Sequence, residues 1–313
     1  MLKELLKDAT LGDPSSGLKW TRKSPRKLAK ALRGKGFKTS HETVRRLLAT
    51  LGYSLQVNRK RLGKRQDAER DRQMRYLARK RRAFVTAQKP VISVDTKKKE
   101  LAGNFKNAGR TWRQEALSVL TTDFLSDADG KAIPYGVYDV ARNTGGIGVG
   151  VSHDTAEFAL TVIRAWWWQV GQVVYAGQSA LLIQADSGGA NGYRSWLWKW
   201  ELQQFADESG LTITVTHHPT SASKWNWIEH RLFGPLSQNW AGQPLLNYET
   251  VLKYIRATKT EAGLHCRAYV DKAIYETGKK ITREQKQSIN LIPHRTLPKW
   301  NYTIKPRTTS DKK

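Results

Sequence analysis

The chain has 313 residues, 39% of them hydrophobic, with 54 Lys+Arg against 27 Asp+Glu and a net charge of +27. That length suits two domains with a real core, and that charge points to polyanions such as DNA or RNA as partners. The lone Cys266 excludes a disulfide framework and a cysteine-based zinc site; the lack of a long apolar run or a leader core leads us to expect a soluble, cytoplasmic protein without a membrane or small-molecule partner.

The charge is uneven, because residues 1–89 hold 26 Lys+Arg and 7 Asp+Glu. Residues 24–51 read as two short helices joined by a turn. Ser24-Pro25 is a cap followed by proline at the first helical position, and Leu28, Ala29 and Leu32 form one face. Gly34 and Gly36 end that helix. Thr39 with Glu42 has capping-box spacing, and Val44, Leu47, Leu48 and Leu51 follow at helical intervals, leaving His41, Arg45 and Arg46 outward. This is a helix-turn-helix candidate for a major groove, weighed against an ordinary hairpin with a basic solvated face. A region 1–55 of this kind is followed by a basic helical linker, 56–89. It carries Arg59, Lys60 and Arg61 and keeps helical spacing through Met74, Leu77 and Phe84. Such a helix can follow a phosphate backbone without reading sequence.

From Pro90 the pattern changes to strands at 91–96, 101–106 and 132–139, a helix at 155–170, a strand at 180–186, a helix at 191–209, a strand at 211–217 and a helix at 223–239. A meander followed by alternating elements predicts an α/β fold, a mixed sheet flanked by helices, over 90–244. Residues 245–313 read as a C-terminal region with a small helix at 248–258, an extended piece and a basic tail.

Three acids stand out. Asp95 ends the apolar strand Val91–Thr96 and Asp186 ends Leu181–Ala185, where loops and ligands meet in open α/β sheets. Ser187, Gly188 and Gly189 after Asp186 allow a sharp turn. Glu229 shares a helical face with Trp225, Leu232 and Phe233, although a glutamate normally takes the wet face. Metal ligation explains it, and so does a buried pair with Lys or Arg. Carboxylates converging on one point would hold hard divalent cations, two of which activate an attacking oxygen and stabilise a leaving oxygen at phosphorus. Lys97, Lys98 and Lys99, directly after Asp95, are expected on the DNA backbone. His217, His218 and His230 could assist but read more as phosphate contacts or packed side chains, and Asp139, Asp154 and Glu157 read as caps or ion-pair partners rather than a fourth ligand. Of Trp166, Trp167 and Trp168, at least one belongs in the core.

At these residues the chain resembles the ISAzo-thirteen family of insertion-sequence transposases, in the DDE superfamily. The matching stretches are GDPSSGLKWTRKS at 12–24, ISVDTKKKELAGNFKNAGR at 92–110, GKAIPYGVYD at 130–139 and HDTAEFA at 153–159. ADSGGANGYR at 185–194, SKWNWIEHRLF at 223–233 and WNYTIKP at 300–306 complete them. The resemblance implies an RNase H-like catalytic domain with its triad on Asp95, Asp186 and Glu229. It also implies two magnesium ions, with manganese as a substitute, and cleavage at element ends followed by strand transfer. The expected partner is double-stranded DNA, element end and target, bound by a nucleoid-associated homo-oligomer, with Lys224 among the DNA contacts. Family members look longer at the N-terminus, with a further helix-turn-helix before the segment where this chain begins, so this chain is expected to lack part of the family's N-terminus. Thr220-Ser221-Ala222 and Trp227 depart from the family's pattern. Two other readings share these residues: a DNA-binding remnant that represses transposition, and a nuclease of the same fold.

Overall fold

A computed structural model describes residues 2–7, 10–12, 19–21, 24–55, 68–220, 222 and 225–307. Arg59, Lys60, Arg61 and Lys224 lie outside the described residues. The chain divides into two compact units, Met1–Lys64 and Arg65–Lys313.

In the first unit, helix α1 (Leu2–Lys7) precedes a short antiparallel pair, β1 (Thr10–Gly12) and β2 (Lys19–Thr21). Helices α2 (Pro25–Gly34) and α3 (His41–Thr50) follow. Ser24 caps α2 by accepting from the Lys27 amide, as its side-chain chemistry predicts. Leu28, Ala29, Leu32, Val44 and Leu48 form a small core. Two details differ from the sequence reading. The cap of α3 is Ser40 rather than Thr39, and Glu42 pairs with Arg45 at 2.6 Å instead of closing a capping box. Leu47 is exposed because Val44 and Leu48 alone complete the buried stripe.

The second unit begins with α4 (Ala68–Thr86), whose inward face is set by Gln73, Tyr76 and Leu77. Buried Gln73 and Asn301 exchange two side-chain hydrogen bonds of 2.7 Å, and Gln73 also donates to the His217 carbonyl at 2.9 Å. An amide pair satisfied this fully can be buried without an unmet donor, so α4 is anchored on the sheet despite its charge.

The sheet is built from β3 (Val91–Thr96), β4 (Glu100–Ala102), β5 (Gly130–Asp139) and β6 (Thr144–Gly150), then β7 (Ala180–Ala185), β8 (Thr212–His217) and β9 (His265–Asp271), with β10 (Leu291–Pro293) and β11 (Asn301–Ile304) from the end of the chain. Its order is β10-β11-β8-β7-β3-β5-β6-β9, with β4 paired to β5. Strands β3, β5 and β6 form an antiparallel meander, and β7 and β8 run parallel to β3. This is an RNase H-like mixed sheet. The segment after 245, read as a separate region, supplies three of its strands.

Helix α5 (Ala156–Trp166) continues through a π turn, Trp167–Gly171, into α6 (Gln172–Val174), and α7 (Trp196–Ser209) packs beside it on one face. Trp166 and Trp167 are buried there while Trp168 is exposed. The other face carries a π turn, Glu229–Phe233, then α8 (Gly234–Asn239) and α9 (Tyr248–Ala257). Helix α10 (Arg283–Gln287), closed by a Thr282/Gln285 capping box, precedes β10. Strand β6 escaped the sequence reading because glycine is depleted in strands. Its glycines answer a packing need: a Cβ on Gly148 would stand 2.4 Å from Val162 Cγ2 of α5. Among the described residues, no helix is long and apolar enough to cross a membrane.

Gly136 makes the same kind of space on the opposite face. A Cβ there would stand 2.7 Å from Phe233 Cε1 and 2.9 Å from Ile228 Cδ1. Gly136→Ala should therefore lower the unfolding free energy by about 1–3 kcal/mol, read from urea denaturation. An unchanged midpoint would show that the helical turn above it shifts freely.

Candidate active site

Asp95 and Asp186 meet because β3 and β7 are parallel and in register, with Val94 opposite Ala185. The residue after each of these positions is an aspartate, so the two carboxylates stand side by side at the C-terminal ends of adjacent strands, about 4.8 Å apart in backbone spacing. On the other side of β3, Asp95 faces Gly136, and the helical turn bearing Glu229 rests on that glycine.

The electrostatics tie all three acids together. Burial, then the charge of Asp186 and that of Glu229, push Asp95 up to about 8. Burial likewise raises Asp186, with Asp154 adding to it. Burial raises Glu229, which also feels Asp186, while His230 and Lys97 pull it back. Every pair in the trio repels.

Hydrogen bonds hold them in place. Asp95 accepts from the Thr96 amide at 2.8 Å and from Asn226 Nδ2 at 3.2 Å. Asn226 is fully buried and accepts from Ser93 Oγ at 2.6 Å, and Ser93 Oγ accepts from the Ile228 amide at 3.3 Å. Asp186 accepts from the Gly188 amide at 2.8 Å. Its carbonyl accepts from His217 Nδ1 at 2.7 Å, so that nitrogen carries the proton and Nε2 accepts from Tyr302 Oη at 3.1 Å. Tyr302 accepts in turn from the Trp198 indole at 3.0 Å. Burial drives His217 down to about 4, keeping the ring neutral.

Glu229 reaches the site by a route the sequence did not suggest. It opens a π turn in which the Gly234 amide bonds its carbonyl, and Trp225, its supposed apolar neighbour, is 52% exposed. Such wide turns inside helices frequently sit at functional positions. Lys97 is also placed differently from the expected backbone contact. It is 6% exposed, paired with Glu100 at 3.1 Å and 4.6 Å from the Trp240 ring centre, so it faces Glu229 from inside. Its neighbours Lys98 and Lys99 are exposed beside the strand end. On α3, His41, Arg45 and Arg46 are exposed, with Arg45 engaged by Glu42.

Among the described residues, no three His, Cys, Asp or Glu side chains close tightly enough to enclose an ion as they stand. The donor set nevertheless suits a hard cation: it is all carboxylate oxygen, partly buried, and self-repelling until a positive charge arrives. Asn226, Thr96 and Lys97 were not singled out as supports, and no local pattern marks them.

The raised Asp95 sets a pH dependence. With an unfolded value near 3.9 and a folded value of about 8, the folded state retains a proton that the unfolded state has lost. Metal-free stability should therefore fall as pH rises from about 4 to 8. Asp186→Asn removes the strongest repelling charge and should flatten that decline, read as melting temperature against pH in EDTA. A variant as steep as wild type would show that the two aspartates do not interact.

No curated protein matches this sequence. Among solved structures, the chain is similar to a pre-cleavage Mos1 transpososome, with TM-score 0.46 and 15% identity over 81% of this chain and 68% of that one. It is also similar to the Mos1 mariner paired-end complex with Mn, with TM-score 0.44 and 16% identity over the same shares. The family model for the Rhodopirellula transposase DDE domain matches residues 1–306. A match of that extent decides the family: this chain belongs to the ISAzo-thirteen DDE transposases.

Proposed function

We propose that this transposase cuts and joins DNA at element ends in a magnesium-dependent reaction, with Asp95, Asp186 and Glu229 holding two divalent ions. The observation that carries this reading is the mutual repulsion of Asp95 and Asp186 at the ends of in-register parallel strands, joined by Glu229 from the turn that rests on β5. A bound pair of divalent ions would supply Lewis-acid stabilisation of the attacking and leaving oxygens, and manganese would substitute for magnesium. The chain's own residues do the rest. Asn226 and the Thr96 amide aim the Asp95 carboxylate, the Gly188 amide and the His217 relay fix Asp186, and buried Lys97 tempers the charge at Glu229. Lys98 and Lys99, exposed at the same strand end, would meet the phosphates flanking the scissile bond. The surface of α3, with His41 and Arg46, would enter a groove of duplex DNA, and the working form on paired ends would be a homo-oligomer.

Asp186→Asn should abolish metal-dependent nicking of element-end duplexes while leaving DNA affinity within about twofold, since it removes no phosphate contact. Binding without nicking in the wild type would favour a repressor remnant, and nicking without joined products would favour a nuclease. Nicking by the Asn variant at the wild-type rate would sink the assignment of Asp186.

Arg46→Ala on α3 should reduce the slope of log affinity against log salt by about one unit if that arginine neutralises a phosphate. Arg45→Ala should reduce it less, because Glu42 already holds that guanidinium. Equal slopes for wild type and Arg46→Ala would remove α3 from the DNA interface.

A further inference from the structure

Asp154 lies in the turn between β6 and α5, just before the Thr155 cap of α5. Its Oδ1 accepts from Thr96 Oγ1 at 2.9 Å, and Thr96 adjoins Asp95. Oδ2 stands 4.0 Å from Lys99 Nζ, and the side chain is only 15% exposed.

Tyr135 is the independent sign that something is meant to bind there. It is fully buried, stands in the β3–β5 ladder opposite Thr96, the residue that Asp154 bonds, and its hydroxyl has no hydrogen-bond partner. Asn191 Nδ2 is a second buried donor without a partner. It belongs to the turn Gly189–Asn191, which packs on β3 and α5 at the same end of the sheet. Buried polar groups in native proteins are nearly always paired, and an unpaired one next to a reactive centre marks a place for water, ion or substrate.

We propose that Asp154 is a fourth carboxylate of this centre and holds the water shell of a divalent cation bound at Asp95 and Asp186, with Tyr135 Oη and Asn191 Nδ2 as partners of the same waters. The inference rests on the reading of Asp95 and Asp186 as metal ligands. An outer role follows from the geometry: Oδ1 is occupied by Thr96, and no three acids close on one point. Magnesium and manganese keep several waters when bound by few carboxylates, and groups that orient a metal's outer shell govern affinity by about 10–100-fold.

The test is Mn2+ titration of the full chain without DNA, following the signal of free Mn2+ by electron paramagnetic resonance. Asp154→Asn keeps the oxygen that Thr96 bonds but removes the charge, so Mn2+ affinity should fall about 10–100-fold with the melting temperature in EDTA unchanged or higher. Tyr135→Phe, which deletes only the unpartnered hydroxyl, should weaken Mn2+ several-fold without lowering that temperature, and covers the case in which the Asn variant does not fold. If both variants bind Mn2+ as wild type does while Asp186→Asn has lost it, the role of Asp154 is overturned and the aspartate pair stands. If Asp186→Asn also binds normally, the aspartate reading fails and this inference with it. If Thr96→Val weakens Mn2+ as much as Asp154→Asn, Asp154 is a tether of β3 and the proposal is overturned.

Discussion

Repulsion among Asp95, Asp186 and Glu229 is the constraint around which this protein is built. Each carboxylate is partly withdrawn from water, which raises its proton affinity, and the charge of Asp186 adds to that at both Asp95 and Glu229. A protein accepts that arrangement only when something positive completes it. The hydrogen bonds from Thr96, Asn226 and Gly188 favour the ionised carboxylates and fix their direction. On the proposed reading, the centre is thereby prepared for a cation before one arrives, the preorganisation that electrostatic catalysis at a phosphoryl group requires.

Holding like charges together demands a stiff frame, and the frame draws on remote parts of the chain. From one side, Asn226 and Ser93 lock the Glu229 turn onto β3, over the space left by Gly136. From the other, the sequence of bonds from Trp198 through Tyr302 and His217 ends on the Asp186 carbonyl. That relay crosses α7, β11 and β8, so the last strand of the chain reaches the site's backbone. Gln73 of α4 joins the same region through Asn301 and the His217 carbonyl. The basic helix before the catalytic sheet is thus fastened to it by neutral amides, leaving Arg72, Arg75, Arg79 and Arg82 exposed.

The family gives these features a common purpose. A DDE transposase must bring phosphates, which are anionic, to a centre that is also anionic. Lys98 and Lys99 lie exposed within a few residues of Asp95, while Lys97 turns inward to Glu100 and Trp240. Three consecutive lysines are divided by the strand end between solvent and interior, Lys97 tempering Glu229 and the other two exposed beside the acids.

Much of this was determined by sequence alone. The alternation in Val91–Thr96 and Leu181–Ala185 placed an aspartate at the end of each strand, and the Ser24 cap and the Leu28, Ala29 and Leu32 stripe defined α2, because local periodicity and capping chemistry act over a few residues. Only the tertiary structure decided that Val94 stands opposite Ala185, that Glu229 opens a π turn rather than sharing an α-helical face with Trp225, and that Lys97 is interior. It also decided that glycine-rich β6 is a strand and that β9 and β11 belong to the sheet. Each of those depends on contacts between residues far apart in the chain, such as Gly148 with Val162 or Asn226 with Asp95. A periodic pattern carries the preference of one segment for a shape, but the partner that exploits the shape is chosen by packing across the fold.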